Sequence, residues 1–440
     1  MKISTINQFS KLFFCLVFCF STATLTSYSQ INGQTAKVIS AKKVDATSVE
    51  VTLADQHFML IDFYGENIFR LFQDNNGGKL RDPEAKPAAQ ILVNNPRKPV
   101  STLNIKDENG QLFISTSAIT ILMDKKTGLF KIINQQKQTL VVEQTAPIVF
   151  EKDKITLSFN SIPNEYFYGG GVQNGRFSHK GKAIAIENQN SWTDGGVASP
   201  TPYYWSTNGY GVMFYTFKKG RYDFGAAKKD EITLSHETNY LDAFFMVNDG
   251  AAALLGDFYQ LTGNPVLVPK FGFYQGHLNA FNRDYWKADT TGIRFEDGLK
   301  YKESQKDNGG IKESLNGEKN NYQFSARAVI DRYQKNDMPF GWILPNDGYG
   351  AGYGQTETLD GNIANLKSFG DYARKNGVEI GLWTQSDLHP KPEISALLQR
   401  DIIKEVRDAG VRVLKTDVAW VGAGYSFGLN GVADVGQIIP

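Results

Sequence analysis

The feature that most restricts the fold is a repeat of strand-like and helix-like patterns in the last part of the chain. Apolar runs begin at Met338, Val378 and Val411, which are 40 and 33 residues apart. This is the spacing of successive strand and helix units in a parallel α/β barrel. Residues 271–278 form a further strand candidate, so the pattern predicts four parallel strands. Because a closed barrel has eight, we expect residues 269–440 to be the first half of a (β/α)8 TIM barrel and the chain to be a fragment.

Three helical patterns lie between these strands. Ser325 is placed to cap a helix over residues 326–336, since serine side chains accept hydrogen bonds from the first helical turn. The helical patterns over residues 362–376 and 392–409 are each followed by a glycine, which is a common helix stop. The sequence therefore predicts strands and helices in alternation after residue 269.

Before Pro269 the pattern is different. From about residue 36 to 268, short alternating or β-branched runs are separated by Asn-Gly, Gly-Gly and Asp-Gly turn signals. Examples are residues 49–53, 58–63, 119–123 and 211–215. Repeated strands of this kind are typical of an antiparallel β-sandwich, and no long amphipathic helix is expected among them. We therefore assign residues 30–268 to an N-terminal β-sandwich domain.

The N-terminus has the pattern of a secretory signal peptide. Lys2 and Lys11 precede an apolar run over residues 12–20, and the small residues Ser27 and Ser29 follow. This run is far shorter than the roughly 20 residues that span a bilayer, so no membrane span is predicted. We expect residues 1–29 to be removed and the protein to be exported to the periplasm or the extracellular space. Both cysteines of the chain lie within this segment, which excludes disulfides and thiolate chemistry from the expected mature chain.

The charge balance excludes several kinds of partner. The formal net charge is +1, and it becomes −1 without residues 1–29, which contain two lysines and no acids. Such a balance gives no reason to expect nucleic acid as a partner. The five histidines are scattered without ligand spacing, so neither a metal site nor a cofactor is predicted.

Residues 284–322 lie between the first predicted strand and its helix and are rich in Lys, Glu, Asp, Asn and Gly. We expect a solvated insertion on the active face of the barrel. A regulatory segment or a lid over the substrate is the alternative.

The strongest candidate for catalysis is Asp417, which ends the apolar run that starts at Val411. The carboxyl ends of barrel strands form the active face, although a carboxylate there can also merely cap a loop. Lys415 is expected to point to the same side because side chains in a strand alternate with period two. Its charge would lower the pKa of Asp417 and keep this group ionised, unless Lys415 pairs with another buried acid.

Aromatic residues follow or end the predicted strands at Tyr349, Trp383, Trp420 and Tyr425. Each can stack on the apolar face of a sugar ring, and each can equally pack in a core.

Several segments resemble glycoside hydrolase family 31, and together they cover nearly all of the chain after residue 30. They are Tyr-Phe-Tyr-Gly-Gly-Gly at 166–171, Pro-Tyr-Tyr-Trp-Ser-Thr-Asn-Gly-Tyr-Gly-Val at 202–212, Phe-Tyr-Gln-Leu-Thr-Gly-Asn-Pro at 258–265 with Pro-Lys-Phe-Gly at 269–272, Ile-Gly-Leu-Trp at 380–383 and Leu-Lys-Thr-Asp at 414–417. The resemblance implies a galactose-mutarotase-like β-sandwich followed by a (β/α)8 barrel. It also implies a retaining α-glycoside hydrolase with a carbohydrate substrate and no cofactor.

The resemblance implies roles for two residues. Asp417 matches the nucleophile, and Asp347 at the end of the second barrel strand matches a residue that accepts hydrogen bonds from sugar hydroxyls, with a loop cap as the alternative. The acid/base residue is expected at the end of the sixth strand, beyond Pro440. Residues 30–440 alone are therefore expected to be inactive.

Two segments resemble the α-N-acetylgalactosaminidase subgroup of the family. They are residues 344–353 and the residues that follow Asp417, namely 418–425. This resemblance predicts hydrolysis of terminal α-linked N-acetylgalactosamine. The alternatives are an α-galactosidase or another family 31 α-glycosidase and, in a different class, a carbohydrate-binding protein without catalytic activity.

Overall fold

The computed structural model describes residues 37–417 with gaps at 77–78, 85–89, 190, 192, 280–284, 305, 307, 318–320, 346–359 and 386–401. For residues 279, 360–362, 383–385, 402–404 and 414–417 it describes the backbone only. The predicted signal peptide lies outside the described residues. No helix in the described part is both long and apolar enough to cross a membrane.

The first large element is an eight-stranded antiparallel sheet with the order β1-β2-β3-β4-β18-β15-β14-β12. Its strands are β1 (Val38–Lys43), β2 (Ser48–Leu53), β3 (Phe58–Gly65), β4 (Ile68–Asp74), β12 (Phe167–Gln173), β14 (Val197–Ser206), β15 (Tyr210–Phe214) and β18 (Tyr240–Val247). Arg70 of β4 and Asp242 of β18 pair through a buried ion pair of 2.6 Å, which fixes the junction between strands far apart in the chain.

Two five-stranded antiparallel sheets share a core with the first sheet. One is a meander of β5 (Asn104–Glu108), β6 (Gln111–Ser115), β7 (Ile119–Asp124), β8 (Phe130–Asn134) and β9 (Thr139–Glu143). The other has the order β10-β11-β17-β16-β13, with β10 (Val149–Glu151), β11 (Lys154–Asn160), β13 (Ala183–Ile186), β16 (Gly220–Phe224) and β17 (Glu231–His236). One cluster of buried apolar side chains includes residues from all three sheets. The antiparallel β-sandwich predicted from the alternating runs is therefore confirmed.

A helix at the end of this region was not expected from the sequence. Helix α1 (Gly250–Thr262) buries Leu254 and Leu261 in a cluster that includes Tyr64 and Phe244. Its first turns are rich in alanine and glycine, so the pattern contains few of the large apolar residues that mark a helical face. The sequence analysis, which expected no long amphipathic helix in residues 36–268, did not identify α1 for this reason.

The second part of the chain forms a parallel four-stranded sheet with the order β19-β23-β24-β25. The strands are β19 (Gln275–Asn279), β23 (Phe340–Pro345), β24 (Glu379–Gln385) and β25 (Val413–Asp417), and the helices are α2 (Ala326–Lys335), α3 (Asp360–Lys375) and α4 (Ile402–Asp408). Ser325 caps α2 as predicted, because its Oγ accepts a hydrogen bond from the backbone N–H of Ala328 at 3.2 Å. The first strand is shorter than predicted, since residues 270–273 form a 3-10 turn after Pro269.

The insertion between β19 and α2 is more ordered than a solvated segment. It forms a three-stranded sheet of β20 (Tyr285–Arg294), β21 (Lys300–Ser304) and β22 (Ile311–Lys312). Trp286, Tyr301 and Phe324 are buried together beneath it, and the Trp286 indole N–H donates to Glu313 at 2.7 Å. Arg332 of α2 forms an ion pair of 2.6 Å with Glu296, which ties the insertion to the helix.

A buried histidine makes the stability of the sandwich depend on pH. His236 is 1% exposed; its Nδ1 donates to the Lys218 carbonyl and its Nε2 accepts from the Tyr222 hydroxyl, both at 2.9 Å. Burial lowers the pKa of His236 to about 4, against about 6.5 in an unfolded chain. Between these values the unfolded chain binds a proton that the folded chain does not. Stability is therefore fully present above pH 6.5 and is lost as the pH falls towards 4, by about 3 kcal/mol in total.

We expect His236→Phe to flatten this pH dependence while it lowers stability at pH 7 through the lost hydrogen bonds. Urea unfolding of the chain at pH 7, 6, 5 and 4.5 measures the slope. His57→Phe, which makes the same change at a half-exposed histidine of the same domain, serves as the matched control. An unchanged slope in His236→Phe would contradict the assignment.

Candidate active site

Four strands of the parallel sheet end at one edge. The last residues of β19, β23, β24 and β25 are Asn279, Pro345, Gln385 and Asp417. Because parallel strands share one direction, their carboxyl ends lie together, and in α/β folds ligands bind outside this edge. The edge is therefore the candidate active site.

The register of β24 and β25 brings two predicted site residues into adjacent positions. Lys415 pairs with Trp383, and Asp417 pairs with Gln385 two residues further along both strands. Neighbouring strands are about 4.8 Å apart, so the backbones of these residues are direct neighbours. The structure thus places the backbones of Trp383, Lys415 and Asp417 together at the carboxyl ends of two adjoining strands.

The remaining predicted site residues are not located by the structure. Asp347, Tyr349, Trp420 and Tyr425 lie outside the described residues. Asp347 and Tyr349 follow β23 directly in the chain, and Trp420 and Tyr425 follow β25. Their assignment to the sugar site stays a prediction.

An apolar core holds these strands against the helices. Ile343, Ile380 and Leu382 of the parallel sheet are at most 2% exposed and belong to one cluster with Leu366 and Phe369 of α3. This packing holds β23 and β24, and with them the backbone of Trp383, against α3. Val411, two residues before β25, belongs to the same cluster.

Gly381 is a positioning residue that the sequence analysis did not identify. A Cβ atom at Gly381 would lie 2.8 Å from both the Cβ and the carbonyl oxygen of Val413, the first residue of β25. Such contacts are too short for any side chain, so only glycine permits this spacing of β24 and β25. A glycine inside a predicted buried strand was the available signal, because it often marks a close approach of two backbones.

One histidine, His277, lies in the parallel sheet and contacts a neighbouring helix. His277 of β19 lies 3.2 Å from the hydroxyl of Tyr333 in α2, and burial lowers the pKa of His277. The contact links a strand to a helix. Within the described ranges, no group of three or more His, Cys, Asp or Glu side chains lies close enough to hold a metal ion.

Comparison with known families identifies the N-terminal sandwich. Residues 59–223, which extend from β3 into β16, match the glycosyl hydrolase 31 N-terminal galactose mutarotase-like domain. The sandwich is thus of the class found at the N-terminus of glycoside hydrolases. Residues 59–223 are therefore similar to the N-terminal domain of family 31 glycosyl hydrolases.

Two characterised relatives are α-xylosidases. The protein from Emericella nidulans is 28% identical over 155 residues, which are 35% of this chain and 20% of the relative. The protein from Lactiplantibacillus pentosus is 24% identical over 200 residues, which are 44% of this chain and 25% of the relative. The alignments therefore span only a fifth to a quarter of the length of these relatives.

Solved structures share the fold over most of the described chain. A family 31 dextranase from Flavobacterium johnsoniae, complexed with glucose, superposes with a TM-score of 0.66 at 17% identity, over 91% of this chain and 50% of that chain. A family 31 α-xylosidase from a soil metagenome, complexed with xylose, gives a TM-score of 0.59 at 14% identity, over 91% and 61%. The likeness shows the fold, and this chain spans about half the length of these proteins.

Proposed function

We propose that the protein containing this chain is an exported retaining α-glycoside hydrolase whose nucleophile is Asp417, and that its parallel sheet is the first half of a (β/α)8 barrel. The observation that carries the proposal is the position of Asp417 at the carboxyl end of β25, beside Gln385 of β24. The family 31 domain at residues 59–223 supports it. Export rests on the pattern of residues 1–29, and N-terminal sequencing of the secreted protein tests it, with a start near residue 30 expected.

The chemistry of a retaining glycosidase needs two carboxyl groups about 5–5.5 Å apart. The ionised carboxylate attacks the anomeric carbon, while the second carboxylic acid protonates the leaving oxygen as the glycosidic bond breaks. Water then attacks the same carbon of the glycosyl ester and gives its proton to the second carboxylate. We assign the attack to Asp417 and expect the acid/base residue beyond Pro440.

Lys415 would keep the nucleophile ionised. It lies two residues before Asp417 in the same strand, so the alternation of the strand favours the same side for both. A cation near a carboxylate stabilises the charged form and lowers its pKa. Asp347 would bind sugar hydroxyls, and aromatic residues would contact the sugar ring, namely Tyr349, Trp383, Trp420 and Tyr425.

For the sugar we propose a terminal α-linked N-acetylgalactosamine. The support is the resemblance of residues 344–353 and 418–425 to the α-N-acetylgalactosaminidase subgroup. Residues 422–424 are Gly, Ala and Gly and stand between Trp420 and Tyr425 in the sequence. We expect these small side chains to give room for an acetamido group. Burial of its methyl group contributes about 0.8 kcal/mol and a hydrogen bond to its amide about 1 kcal/mol, which together give roughly tenfold or greater selectivity.

An α-xyloside is the second candidate. The two characterised relatives described above are α-xylosidases, although they are similar to this chain over less than half of its length. A xylose unit lacks the C6 hydroxymethyl group, so the two candidates require pockets of different size.

The experiment is a comparison of kcat/KM for four para-nitrophenyl α-glycosides with the protein from the complete reading frame. The sugars are N-acetylgalactosamine, galactose, glucose and xylose, and we expect the first to give the largest value. Proton NMR should show the α anomer as the first product, because two displacements restore the configuration. A β product would exclude the nucleophile role of Asp417. Sugar binding without turnover of any glycoside would favour the non-catalytic carbohydrate-binding protein.

A further inference from the structure

A pocket in the β-sandwich contains polar side chains that the proposed glycosidase reaction does not use. It lies where the β2–β3 turn, the end of β4 and the segment between β9 and β10 meet. Its volume is about 130 Å³, which is room for one small molecule. The polar side chains that line it are Asp55, His57, Gln73, Asn75 and Gln144.

Gln73 lies at a position of β4 where the alternation of side chains predicts an apolar core residue. In β4, Phe69 and Leu71 are at most 2% exposed and belong to the main apolar cluster, and Gln73 follows on the same face. Gln73 is only 8% exposed, and Met59 of that cluster lies directly opposite in β3. A polar side chain at the end of a core face therefore points towards the pocket.

The carboxamide of Gln73 has no hydrogen-bond partner among the described residues. Its nitrogen and oxygen are not fully buried, so they are open to the pocket. Because Gln73 lines the pocket, a molecule in the pocket can reach the carboxamide and supply the missing hydrogen bonds.

A second buried carboxamide, that of Gln144, forms a hydrogen bond through its oxygen only. Gln144 is 4% exposed, and its Oε1 accepts a hydrogen bond of 3.2 Å from the backbone N–H of Phe130. Its side-chain NH2 group makes no hydrogen bond within the part of the chain that the structure describes. The pocket thus offers a donor from Gln144 together with the donor and acceptor of Gln73.

The pocket is also lined by a carboxylate and an imidazole that lie close together. The Asp55 carboxylate lies 3.1 Å from His57 Nδ1 and accepts the His57 backbone N–H at 3.0 Å. An imidazole nitrogen donates or accepts a hydrogen bond according to its tautomer, so His57 adds a further polar group to the lining. Asn75 at the end of β4 adds an exposed carboxamide.

The rest of the lining is apolar and carries no lysine or arginine. Met59, Ile148 and Phe150 contribute apolar surface, and no cationic group other than His57 is present to attract an anion. The carboxamides of Gln73 and Gln144, with the Asp55 carboxylate as an acceptor for hydroxyl groups, lie beside this apolar wall. Such a set matches a ring that has hydroxyl groups at its edge and C–H bonds on its face. We propose that this pocket binds a single neutral pyranose unit and is a carbohydrate site separate from the strand ends that carry Asp417.

The test uses methyl β-D-glucoside, methyl β-D-galactoside and methyl β-D-xyloside, which an α-glycosidase does not cleave. Isothermal titration calorimetry and saturation-transfer NMR with the full-length protein measure their affinity. Gln73→Leu removes the carboxamide and keeps a side chain of similar size. Gln136→Leu makes the same change at an exposed site of the same domain and serves as the control.

We expect at least one of these glycosides to bind and Gln73→Leu to weaken it about tenfold, since about 1.4 kcal/mol is tenfold and two hydrogen bonds are lost. Gln136→Leu should bind normally, and both variants should keep kcat/KM for the aryl α-glycoside. Asn75→Ala changes an exposed residue of the pocket and should weaken binding of the glycoside severalfold. If Gln73→Leu fails to fold, the affinity of Asn75→Ala tests the proposal instead. Absence of binding to the unaltered protein, or equal affinity in Asn75→Ala and the control, would overturn the proposal.

Discussion

Replacement of Asp417 by asparagine is expected to lower kcat of the proposed full-length glycosidase by on the order of 10⁴-fold or more. Asparagine keeps the shape of the side chain and loses the charge that attacks the anomeric carbon. Loss of a nucleophile in enzymes with covalent intermediates has effects of this size. Steady-state rates with the preferred aryl α-glycoside measure the change, and affinity for the substrate should remain similar.

The control for this prediction is Asp371→Asn. Asp371 lies half exposed on α3 and pairs with Lys367 at 2.6 Å, so the same chemical change there should leave kcat within about twofold. A sharper test is Asp417→Gly with added azide. Azide can take the place of the missing carboxylate, attack the anomeric carbon and form the β-glycosyl azide. Near-normal turnover by Asp417→Asn, or no azide product from Asp417→Gly, would show that another carboxylate attacks.

The second large effect is expected for Gly381→Ala. The added Cβ would meet Val413 at 2.8 Å, so β25 must move away from β24 and carry Asp417 with it. A displacement of about 1 Å in an active site costs roughly 100-fold in rate, and overpacking of a core costs about 1–3 kcal/mol of stability. We therefore expect kcat/KM to fall about 100-fold and the free energy of unfolding to fall by this amount.

Gly256→Ala is the matched control because a Cβ at Gly256 in α1 meets no atom within 4 Å. Alanine is the better helix former by about 0.5–1 kcal/mol, so this variant should be slightly more stable and fully active. If Gly381→Ala lost stability but kept kcat/KM, Gly381 would serve folding alone and not the position of Asp417.

The sequence predicted those parts of the fold where local chemistry and tertiary structure agree. The regular spacing of apolar runs led to β23, β24 and β25, and Ser325 marked the start of α2. The alternating runs of the sandwich were equally clear. Strand ends shifted by one to four residues, because turns such as residues 270–273 depend on local hydrogen bonds that the apolar pattern does not contain.

Other features depend on contacts between distant residues and were missed. Trp286, Tyr301 and Phe324 are far apart in a polar stretch, so their common cluster in the insertion was invisible in a local window. The sequence analysis also did not predict the pocket at Gln73, because its lining comes from four separate segments of the chain. The strand-end position of Asp417 was predicted from the run before it, whereas its register beside Gln385 required the structure.

The pairing of β4 with β18 also has a consequence for synthesis of the chain. Arg70 and Asp242, which join these strands, are 172 residues apart in sequence. A ribosome adds about 5–20 residues per second, so β4 exists for roughly 10 to 30 s before its neighbour has been made. During this interval one edge of a strongly apolar strand has no partner, and unpaired edges of this kind invite association with other chains. We therefore expect the nascent protein to depend on chaperones until residue 247 has emerged, and truncations that end before β18 to aggregate.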